Sequence, residues 1–199
     1  MAKEIIEGQT TIYCDSEEKW REWLLNYHSE LSFVWLIIYR KNSEISSVYY
    51  SEAVDQALCF GWIDSAPRKR DAQSYYLYMS QRKPSSNWSK VNKEKVARLE
   101  KKGLIHASGH AAIEIAKKNR KWNALDHVCE LEEPDDLKGL LIENKKAFEN
   151  WNQFSNSSRR GILEWIFNAR RNETRQKRIQ ETVSLAELGI KANTPQKKA

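Results

Sequence analysis

The sequence predicts an α+β fold: a small sheet with flanking helices, followed by an all-α C-terminal helical bundle. Strand-like runs occur only before Pro84, and helical periodicity fills the chain after it. With 199 residues, 40% of them hydrophobic, the chain can build a real core, which excludes disorder of the whole chain. We therefore predict a mixed α+β domain at residues 1–125, a helical domain at 126–190 and a flexible tail at 191–199.

The first elements are a strand, a helix and a second strand. Thr10–Cys14 is a short run rich in β-forming residues. The next apolar residues have the i, i+3, i+4 and i+7 spacing of one helix face: Trp20, Trp23, Leu24 and Tyr27. Phe33–Tyr39 is apolar at every position, which is typical of a strand that is covered on both faces. We place it at the centre of the sheet.

A helix and a hairpin follow. Ser51 is the predicted N-cap of a helix that runs to Phe60 and ends at Gly61, where glycine accepts a left-handed conformation. Two β-prone runs, Trp62–Ala66 and Ser74–Met79, flank a charged turn and predict a hairpin. Pro67 restricts the first arm to an edge of the sheet or ends it early.

Helices make up the remainder of the chain. Ser89 is the predicted cap of a helix that Gly103 closes, and a second helix begins at about Ser108. The charged connector Glu130–Asp136 separates these helices from the last group. The apolar positions of that group predict several amphipathic helices, the last of them between Asn172 as cap and Gly189.

Basic residues are concentrated in one segment. Residues 62–102 contain eleven lysines and arginines against four acids and carry +7, whereas the whole chain carries +6. Such an asymmetry favours phosphate-rich or otherwise anionic partners. A solvated, lysine-rich helix surface gives the same count, so both interpretations stay open.

The hairpin supplies the first candidate ligand-binding residues. Alternation places Trp62, Asp64 and Arg68 on one face of its first strand. If Tyr76 and Tyr78 of the partner strand share that face, aromatic rings and guanidinium groups surround one carboxylate. Such a surface suits the stacking of a base or sugar beside a phosphate. Alternatively, the aromatic residues belong to the core, and Asp64 forms only a salt bridge.

The loop after the hairpin supplies the other candidates: Arg82, Ser86, Asn87, Trp88 and Ser89. Hydroxyl and amide groups at a helix N-terminus, next to cations, can hold an anion on free backbone N–H groups. Alternatively, Asn87 or Ser89 only caps the helix, and Trp88 packs it against the sheet. Capping requires only one such residue, so the additional hydroxyl and amide residues keep the binding interpretation open.

We expect no metal site and no cofactor. The histidines and the cysteine of zinc-ligand type lack the usual paired spacing: His106, His110, His127 and Cys129. The three cysteines of the chain include no CxxC pair, which predicts reduced thiols. The sequence contains no glycine-rich phosphate loop, no G-x-S-x-G and no H-E-x-x-H motif.

The longest apolar run, Phe33–Tyr39, is shorter than the roughly 20 residues of a membrane span. Near the N-terminus, Glu4 and Glu7 stand where a secretory signal would need apolar residues. These features predict a cytoplasmic protein without a transmembrane segment.

Two stretches resemble the signature of the YdeI/OmpD-associated family, which is also called the bacteriocin-protection family. They are Glu52–Asp64 and Arg82–Asn92. Near the end of the chain, Ser158–Ile166 and Arg171–Arg175 are similar to the C-terminal helical domain of that family. The resemblance extends over about residues 12–188. The chain departs from the family pattern at Ser65, where the family typically has glycine.

The resemblance implies a bacterial protein connected with tolerance of cationic antimicrobial peptides, and it implies no particular reaction or cofactor. Some members are described as periplasmic, but the absence of an export signal favours the cytoplasm for this chain.

The leading hypothesis is a non-enzymatic binding or stress-tolerance protein. Its anionic ligand or partner (nucleic acid, a phosphate-bearing molecule or an envelope component) binds at residues 61–92. The alternative is a hydrolase or transferase with a pocket around Asp64, Arg82 and Asn87. A third possibility is that a protein partner docks on the helical bundle. The first two hypotheses require that the hairpin and the loop share one cleft.

Overall fold

A computed structural model describes residues 5–6 and 9–193 of the chain. It confirms the expected fold class, with a small sheet, flanking helices and a helical C-terminal part. In chain order the elements are β1 (Ile5–Ile6), β2 (Gln9–Tyr13), α1 (Glu17–Tyr27), β3 (Phe33–Tyr39), α2 (Tyr50–Cys59), β4 (Trp62–Lys69), β5 (Ser74–Gln81), α3 (Lys90–Lys101), α4 (Ala107–Lys118), α5 (Asp126–Cys129), α6 (Asp135–Glu143), α7 (Lys145–Gln153), α8 (Asn156–Phe167) and α9 (Asn172–Glu187).

The chain forms two compact units, Met1–Trp122 and Asn123–Ala199. The division into domains that the sequence predicts, between residues 125 and 126, stays a prediction. Most of the predicted tail at 191–199 lies outside the described residues, which end at residue 193. No helix in the described part of the chain combines the length and the hydrophobicity that crossing a bilayer requires.

The sheet of the first unit has the strand order β1-β2-β3-β5-β4. Strands β2, β3, β5 and β4 form its body, and the two residues of β1 extend one edge. β3 pairs with β2 in parallel and with β5 antiparallel, so the fully apolar run Phe33–Tyr39 lies inside the sheet as expected. β4 is the other edge strand, which is where a strand that contains Pro67 is tolerated.

One face of the sheet is covered by helices. Its buried side chains include Val34, Leu36 and Ile38 of β3, and they form one hydrophobic cluster with residues of α1 to α4. Trp20 of α1 lies at the centre of this cluster with no exposed surface, and its indole N–H donates to the carbonyl of Ala53 in α2 at 3.0 Å. Burial of large apolar side chains here is the main stabilising contribution of the unit.

Helix boundaries follow the capping signals with two corrections. Ser89 caps α3 as predicted, since its hydroxyl accepts from the backbone N–H of Asn92 at 3.3 Å. Ser51 is not the N-cap of α2: the helix begins at Tyr50, because Glu52 reaches back to the backbone N–H of Tyr49 at 2.9 Å. At the last helix, Asn172 is the first helical residue and not the cap.

The second unit contains α5 to α9 around its own hydrophobic cluster, with Trp151 fully buried. The indole N–H of Trp151 donates to the Glu133 carboxylate at 2.9 Å, and Arg159 pairs with the same carboxylate. Asp136 and Arg175 form a second, two-bonded ion pair at 2.7 and 2.9 Å. These pairs tie α6 and the loop before it to α8 and α9.

Candidate functional site

The turn between α2 and β4 is the structural centre of the candidate site. Gly61 has a φ of +76°, a conformation that favours glycine. A Cβ atom at this position would meet the Cβ of Ala112 at 2.9 Å and the carbonyl oxygen of Ser108 at 3.0 Å. Glycine is therefore required twice, for the turn and for the close approach of helix α4.

Trp62 follows this turn as the first residue of β4. Its side chain is fully buried, and its indole N–H donates to the carbonyl of His28 at 3.2 Å. The Trp62 ring also packs edge-on against Trp23 of α1, with 5.9 Å between ring centroids. Trp62 is thus a core residue that also borders the cleft described below.

Arg82 lies directly after β5 and is held in three ways. Its backbone N–H donates to Gly61 at 2.9 Å, and its Nη1 donates to the Asn87 carbonyl at 3.1 Å. Its guanidinium lies over the Trp88 ring, 3.8 Å from the centroid. These contacts fix a cation at the junction of the hairpin and the loop.

The electrostatic environment of Arg82 is unusual for an arginine. Burial lowers the pKa of Arg82 to about 10, and the nearby charge of Asp64 acts in the opposite direction. Within the described residues, no carboxylate lies at ion-pair distance from this guanidinium, and its buried Nε atom has no hydrogen-bond partner. Partial burial of a cation without a close counter-ion costs free energy, because no ion pair compensates for the water that the charge has lost.

Backbone hydrogen bonds and a tryptophan contact hold the loop between Arg82 and α3 in place. The Ser86 backbone N–H donates to Lys83 at 2.9 Å, and the Trp88 backbone N–H donates to Lys121 at 3.2 Å. The Trp88 ring is 1% exposed and packs against Trp122 at 5.0 Å. Ser89 therefore acts as the cap of α3, and Ser86 contributes its backbone N–H to the loop.

A cleft of about 370 Å³ opens beside Arg82. Its walls come from the end of α1, the α2–β4 turn, the residues after β5 and one side of α4. The lining residues are His28, Ser29, Phe60, Gly61, Trp62, Gln81, Arg82, Lys83, Pro84, Trp88, Ser108, Ala111, Ala112, Ile115 and Ala116. They include two cations, Arg82 and Lys83, and no carboxylate.

Three of the eight predicted site residues line this cleft: Trp62, Arg82 and Trp88. Ser86, Asn87 and Ser89 belong to the adjoining loop but do not line it. The hairpin and the loop do share a cleft, but none of the three predicted hydroxyl and amide residues lines it.

Asp64 and Arg68 lie elsewhere, and the single face predicted for Trp62, Asp64 and Arg68 is wrong. A bulge between Asp64 and Pro67 shifts the alternation, so Asp64 pairs with Met79 on the core side while Arg68 pairs with Tyr76. The Asp64 carboxylate accepts a hydrogen bond from the Tyr50 hydroxyl at 2.8 Å. Burial is the main cause that raises the pKa of Tyr50, and this hydrogen bond is the second. An acid–base role for Asp64 in the cleft therefore lacks geometric support.

No pattern in the sequence predicted the pair of histidines beside the cleft. His28 lies on the cleft, and its ring is 4.9 Å from that of His106, which stacks on Phe60 at 4.9 Å. His106 caps α4, because its Nδ1 accepts from the backbone N–H of Ser108 at 3.2 Å. Burial, with the neighbouring charges of His28 and Arg21, lowers the pKa of His106.

Other partners account for the histidines that we considered as metal ligands. His110 lies 3.9 Å from Glu100 on the surface, and His127 packs edge-on against Phe167 in the second unit. The side chain of Cys129 lies outside the described residues. Across the part of the chain that the structure describes, no three histidine, cysteine or acidic side chains form a metal-binding group.

Part of the basic excess is neutralised within the first unit. Asp55 of α2 is 7% exposed and forms ion pairs with Lys95, at 2.6 Å, and with Arg98 of α3. Arg70 pairs with Asp71 at 2.8 Å in the hairpin turn. Asp55 lies outside residues 62–102, so the count of +7 omits its negative charge, whereas it already includes that of Asp71. The count therefore overstates the net positive charge of this part of the first unit.

Comparison with known families divides the chain in the same way as its two units. Residues 12–112, just over half of the chain, match the family described as Domain of unknown function (DUF8412). The chain belongs to the DUF8412 family. Residues 130–189 match the family described as Bacteriocin-protection, YdeI or OmpD-Associated. The chain is thus a DUF8412 protein that carries a YdeI/OmpD-associated domain.

The matched ranges assign the sequence motifs to different families. The stretches Glu52–Asp64 and Arg82–Asn92, which surround the cleft, lie in the DUF8412 range, whereas Ser158–Ile166 lies in the YdeI/OmpD-associated range. The expected resemblance over residues 12–188 is confirmed for the C-terminal domain at 130–189. No curated protein and no solved structure matches the chain.

Proposed function

We propose that the first unit is a binding module whose cleft takes a small ligand with one anionic group and an apolar or aromatic body. The observation that supports this most is the Arg82 guanidinium: it is half-buried, fixed on Trp88, and without an ion-pair partner in the described residues. A ligand oxyanion would supply the missing counter-charge.

The neighbours of Arg82 support an anion over a cation. Lys83 adds a second positive charge, and none of the residues that line the cleft is acidic. A charge-assisted hydrogen bond to a guanidinium contributes about 1.5–3 kcal/mol, more than a neutral one. The cation is already in place, so the ligand need not order it.

The rest of the cleft supports an apolar ligand body. One wall is made by the small side chains of Ala111, Ala112 and Ala116, and Ile115 beside them is 44% exposed. The indole of Trp88 supports the cation on another side. A volume of about 370 Å³ lies at the small end of ligand pockets, which suits a metabolite-sized molecule and is too small for a folded macromolecule.

In this proposal, the protein acts by binding and not by catalysis. The hydrolase or transferase alternative places Asp64 in the pocket, but Asp64 does not line the cleft. His28, which does line it, has its Nδ1 hydrogen-bonded to the Leu24 carbonyl at 2.8 Å. Ser108, which does line it, uses its hydroxyl to donate to the Phe60 carbonyl at 3.1 Å. A role in bacteriocin or antimicrobial-peptide tolerance is part of the same proposal and is motivated by the YdeI/OmpD-associated domain. A cytoplasmic location stays a prediction.

Ligand-induced stabilisation tests the proposal. We would screen phosphate, alkyl and aryl carboxylates, and aryl phosphates by thermal shift and follow hits by calorimetry. A ligand at one hundred times its Kd stabilises by about 2.7 kcal/mol. We expect Arg82→Ala to weaken the best hit by roughly ten-fold or more, with Arg82→Lys in between, since Lys lacks the planar fork.

Lys102→Ala is the matched control, because Lys102 is an exposed cation of the same unit that does not line the cleft. We expect it to leave the affinity unchanged. Equal loss of affinity in Lys102→Ala and Arg82→Ala would mean that net charge alone attracts the ligand. A screen without hits, or hits that are indifferent to Arg82, would contradict the proposal.

A further inference from the structure

The second unit contains a pocket of its own, with a volume of about 380 Å³. Its walls come from α5, from the charged connector before α6, from the end of α8 and from one residue of α9. All of these elements belong to the second unit. The pocket is lined by residues 127–128, 132–134, 163, 166, 167 and 175, and we call it the second-unit pocket.

The part of the second-unit pocket that α8 contributes is apolar. Leu163 and Ile166 are 2% and 1% exposed and belong to the core cluster of this unit. Phe167, the last residue of α8, is 39% exposed, and its ring meets His127 edge-on with 4.7 Å between centroids. The pocket therefore offers both aliphatic and aromatic surface to the body of a small molecule.

The charged connector that forms another wall is strongly acidic. Residues 130–136 contain five carboxylates and neither lysine nor arginine. Two of these carboxylates form the ion pairs of this unit described above. The other three, Glu130, Glu132 and Asp135, have no ion-pair partner in the part of the chain that the structure describes. The connector therefore carries an excess of negative charge, which attracts cations.

Two neighbouring carboxylates of the connector line the pocket, Glu132 and Glu133. Glu132 is exposed and accepts no hydrogen bond from the described residues. Trp151 and Arg159 both donate to the Oε1 atom of Glu133. These bonds hold the carboxylate in place and leave its Oε2 atom without a partner among the described residues. The pocket thus presents several acceptor oxygens, one of them on a carboxylate that is already fixed.

The arginine that lines the second-unit pocket is already occupied. The Nη2 and Nε atoms of Arg175 donate to the two carboxylate oxygens of Asp136 at 2.7 and 2.9 Å. The hydrogen bond to Arg175 is also the main cause that lowers the pKa of Asp136. Because this pair is closed within the protein, Arg175 leaves the charge of Glu132 uncompensated, and an anion would have to compete with Asp136 for the guanidinium.

We propose that the second-unit pocket binds a small organic cation, in which an apolar or aromatic body carries one primary ammonium group. The ammonium group donates hydrogen bonds to the Glu132 carboxylate and to Oε2 of Glu133, and the body lies against the apolar side chains of α8. A primary ammonium group has three donors and no acceptor, which matches a wall of carboxylate oxygens. The partly exposed ring of Phe167 further favours a cation over a neutral molecule.

The second-unit pocket and the cleft at Arg82 are separate proposals with opposite charge preferences. No residue lines both. A carboxylate or phosphate that binds in the cleft is therefore insensitive to Glu132→Gln, and an amine that binds in the second-unit pocket is insensitive to Arg82→Ala. Either proposal can fail while the other holds.

Three probes that share one carbon skeleton test the proposal on the full chain. They are phenylbutylamine, phenylbutanol and phenylbutyrate, which carry a positive, a neutral and a negative end group. We would titrate each probe into the isotope-labelled protein and follow the amide signals by NMR. We expect the amine to shift the signals of residues 127–134 and 163–167. Phenylbutanol should bind there at least about three-fold more weakly, and phenylbutyrate more weakly still, because the acidic wall repels it.

Two substitutions separate the carboxylate from the ring. Glu132→Gln removes the charge and should weaken amine binding by about two- to five-fold, the range for one exposed charge pair, without affecting phenylbutanol. Phe167→Leu keeps an apolar side chain but removes the ring, and it should also weaken the amine by about two- to five-fold. Glu149→Gln is the matched control, because Glu149 is an exposed acid of α7 that does not line the pocket, and it should change nothing.

Several results would overturn the proposal. Equal affinity of the three probes for this pocket, read from the signals of residues 163–167, would show that it does not select a cation. Equal loss in Glu149→Gln and Glu132→Gln would mean that net charge alone attracts the amine. Amine-induced shifts confined to residues 60–62 and 111–116 would assign the amine to the cleft. A Kd above about 10 mM would also contradict specific binding. Circular dichroism and melting curves confirm that each variant is folded.

Discussion

Substituting Gly109 with alanine tests how closely helix α4 approaches α2. Gly109 is buried in the first turn of α4. A Cβ atom there would overlap the carbonyl oxygen of Cys59 and lie 2.8 Å from its carbonyl carbon, with the Ile105 side chain at 3.0 Å. The obstacle is backbone, so no rotation of a flexible side chain can relieve it. The helix must move instead.

The expected size follows from two opposing effects. Replacing glycine with alanine inside a helix favours folding by up to about 1 kcal/mol. Forcing an extra carbon into a well-packed contact typically costs 1–3 kcal/mol, and more when the backbone is the obstacle. Because the added carbon meets backbone, we expect the upper end of this cost, less the helix gain, so Gly109→Ala should lower the free energy of unfolding by about 2 kcal/mol. The substitution should also lower the affinity of the cleft for any ligand, because residues 111–116 of the displaced helix form one wall of the cleft.

Urea unfolding monitored by tryptophan fluorescence and circular dichroism would measure this change. Gly161→Ala in α8 is the matched control: it is a helical glycine with nothing within 4 Å of the added carbon. We expect that variant to be unchanged or more stable by up to about 1 kcal/mol. A Gly109→Ala protein that is as stable as the parent would show that the close approach of α4 to α2 is wrong.

Two further predictions concern titrating groups. Burial raises the pKa of Cys14 to about 12. At pH 8 we therefore expect the Cys14 thiol to be alkylated far more slowly in the folded protein than in denaturant, as measured by peptide mapping. Rapid alkylation of Cys14 in the folded protein would contradict this prediction. Folding lowers the pKa of His106, so as the pH drops this histidine is protonated in the unfolded chain before it is protonated in the folded one. The free energy of unfolding should therefore fall as the pH drops below about 6.5. His106→Asn keeps a capping acceptor but does not titrate, and a pH dependence equal to that of the parent would exclude His106 as a cause.

The elements set by local rules could be predicted from the sequence. The apolar run Phe33–Tyr39 needs cover on both faces and lies inside the sheet. Gly61, Gly103 and Gly189, which were expected to end helices, all have positive φ values. Ser89 caps α3 through its own side chain. In each case the physical cause lies within a few residues of the feature it determines.

Predictions from the sequence fail mainly where residues far apart in the chain determine the local structure. The alternation from Trp62 to Arg68 gives no sign of the bulge before Pro67, because the bulge depends on pairing with β5. The start of α2 was missed for a local reason: Glu52 reaches back to the backbone N–H of Tyr49, whereas Ser51 is the more usual capping residue.

The cleft was only partly foreseen, again because residues far apart in the chain form it. Its hairpin side was singled out by composition, but its other walls come from His28 and from α4. The alanines of α4 have the spacing of a packing surface, and only the fold shows that one side of the helix borders an opening. Gln81, which links β5 to the His28 and Leu31 carbonyls at 2.8 and 3.0 Å, likewise had no recognisable pattern.

The way Arg82 is anchored has a thermodynamic consequence. A free arginine side chain samples many rotamers, and fixing one costs roughly 1.5–2 kcal/mol in conformational entropy. Here the backbone bond to Gly61, the bond to the Asn87 carbonyl and the Trp88 ring fix the guanidinium during folding. An anion arriving in the cleft would meet a preorganised receptor, and its affinity would not be reduced by immobilising that side chain.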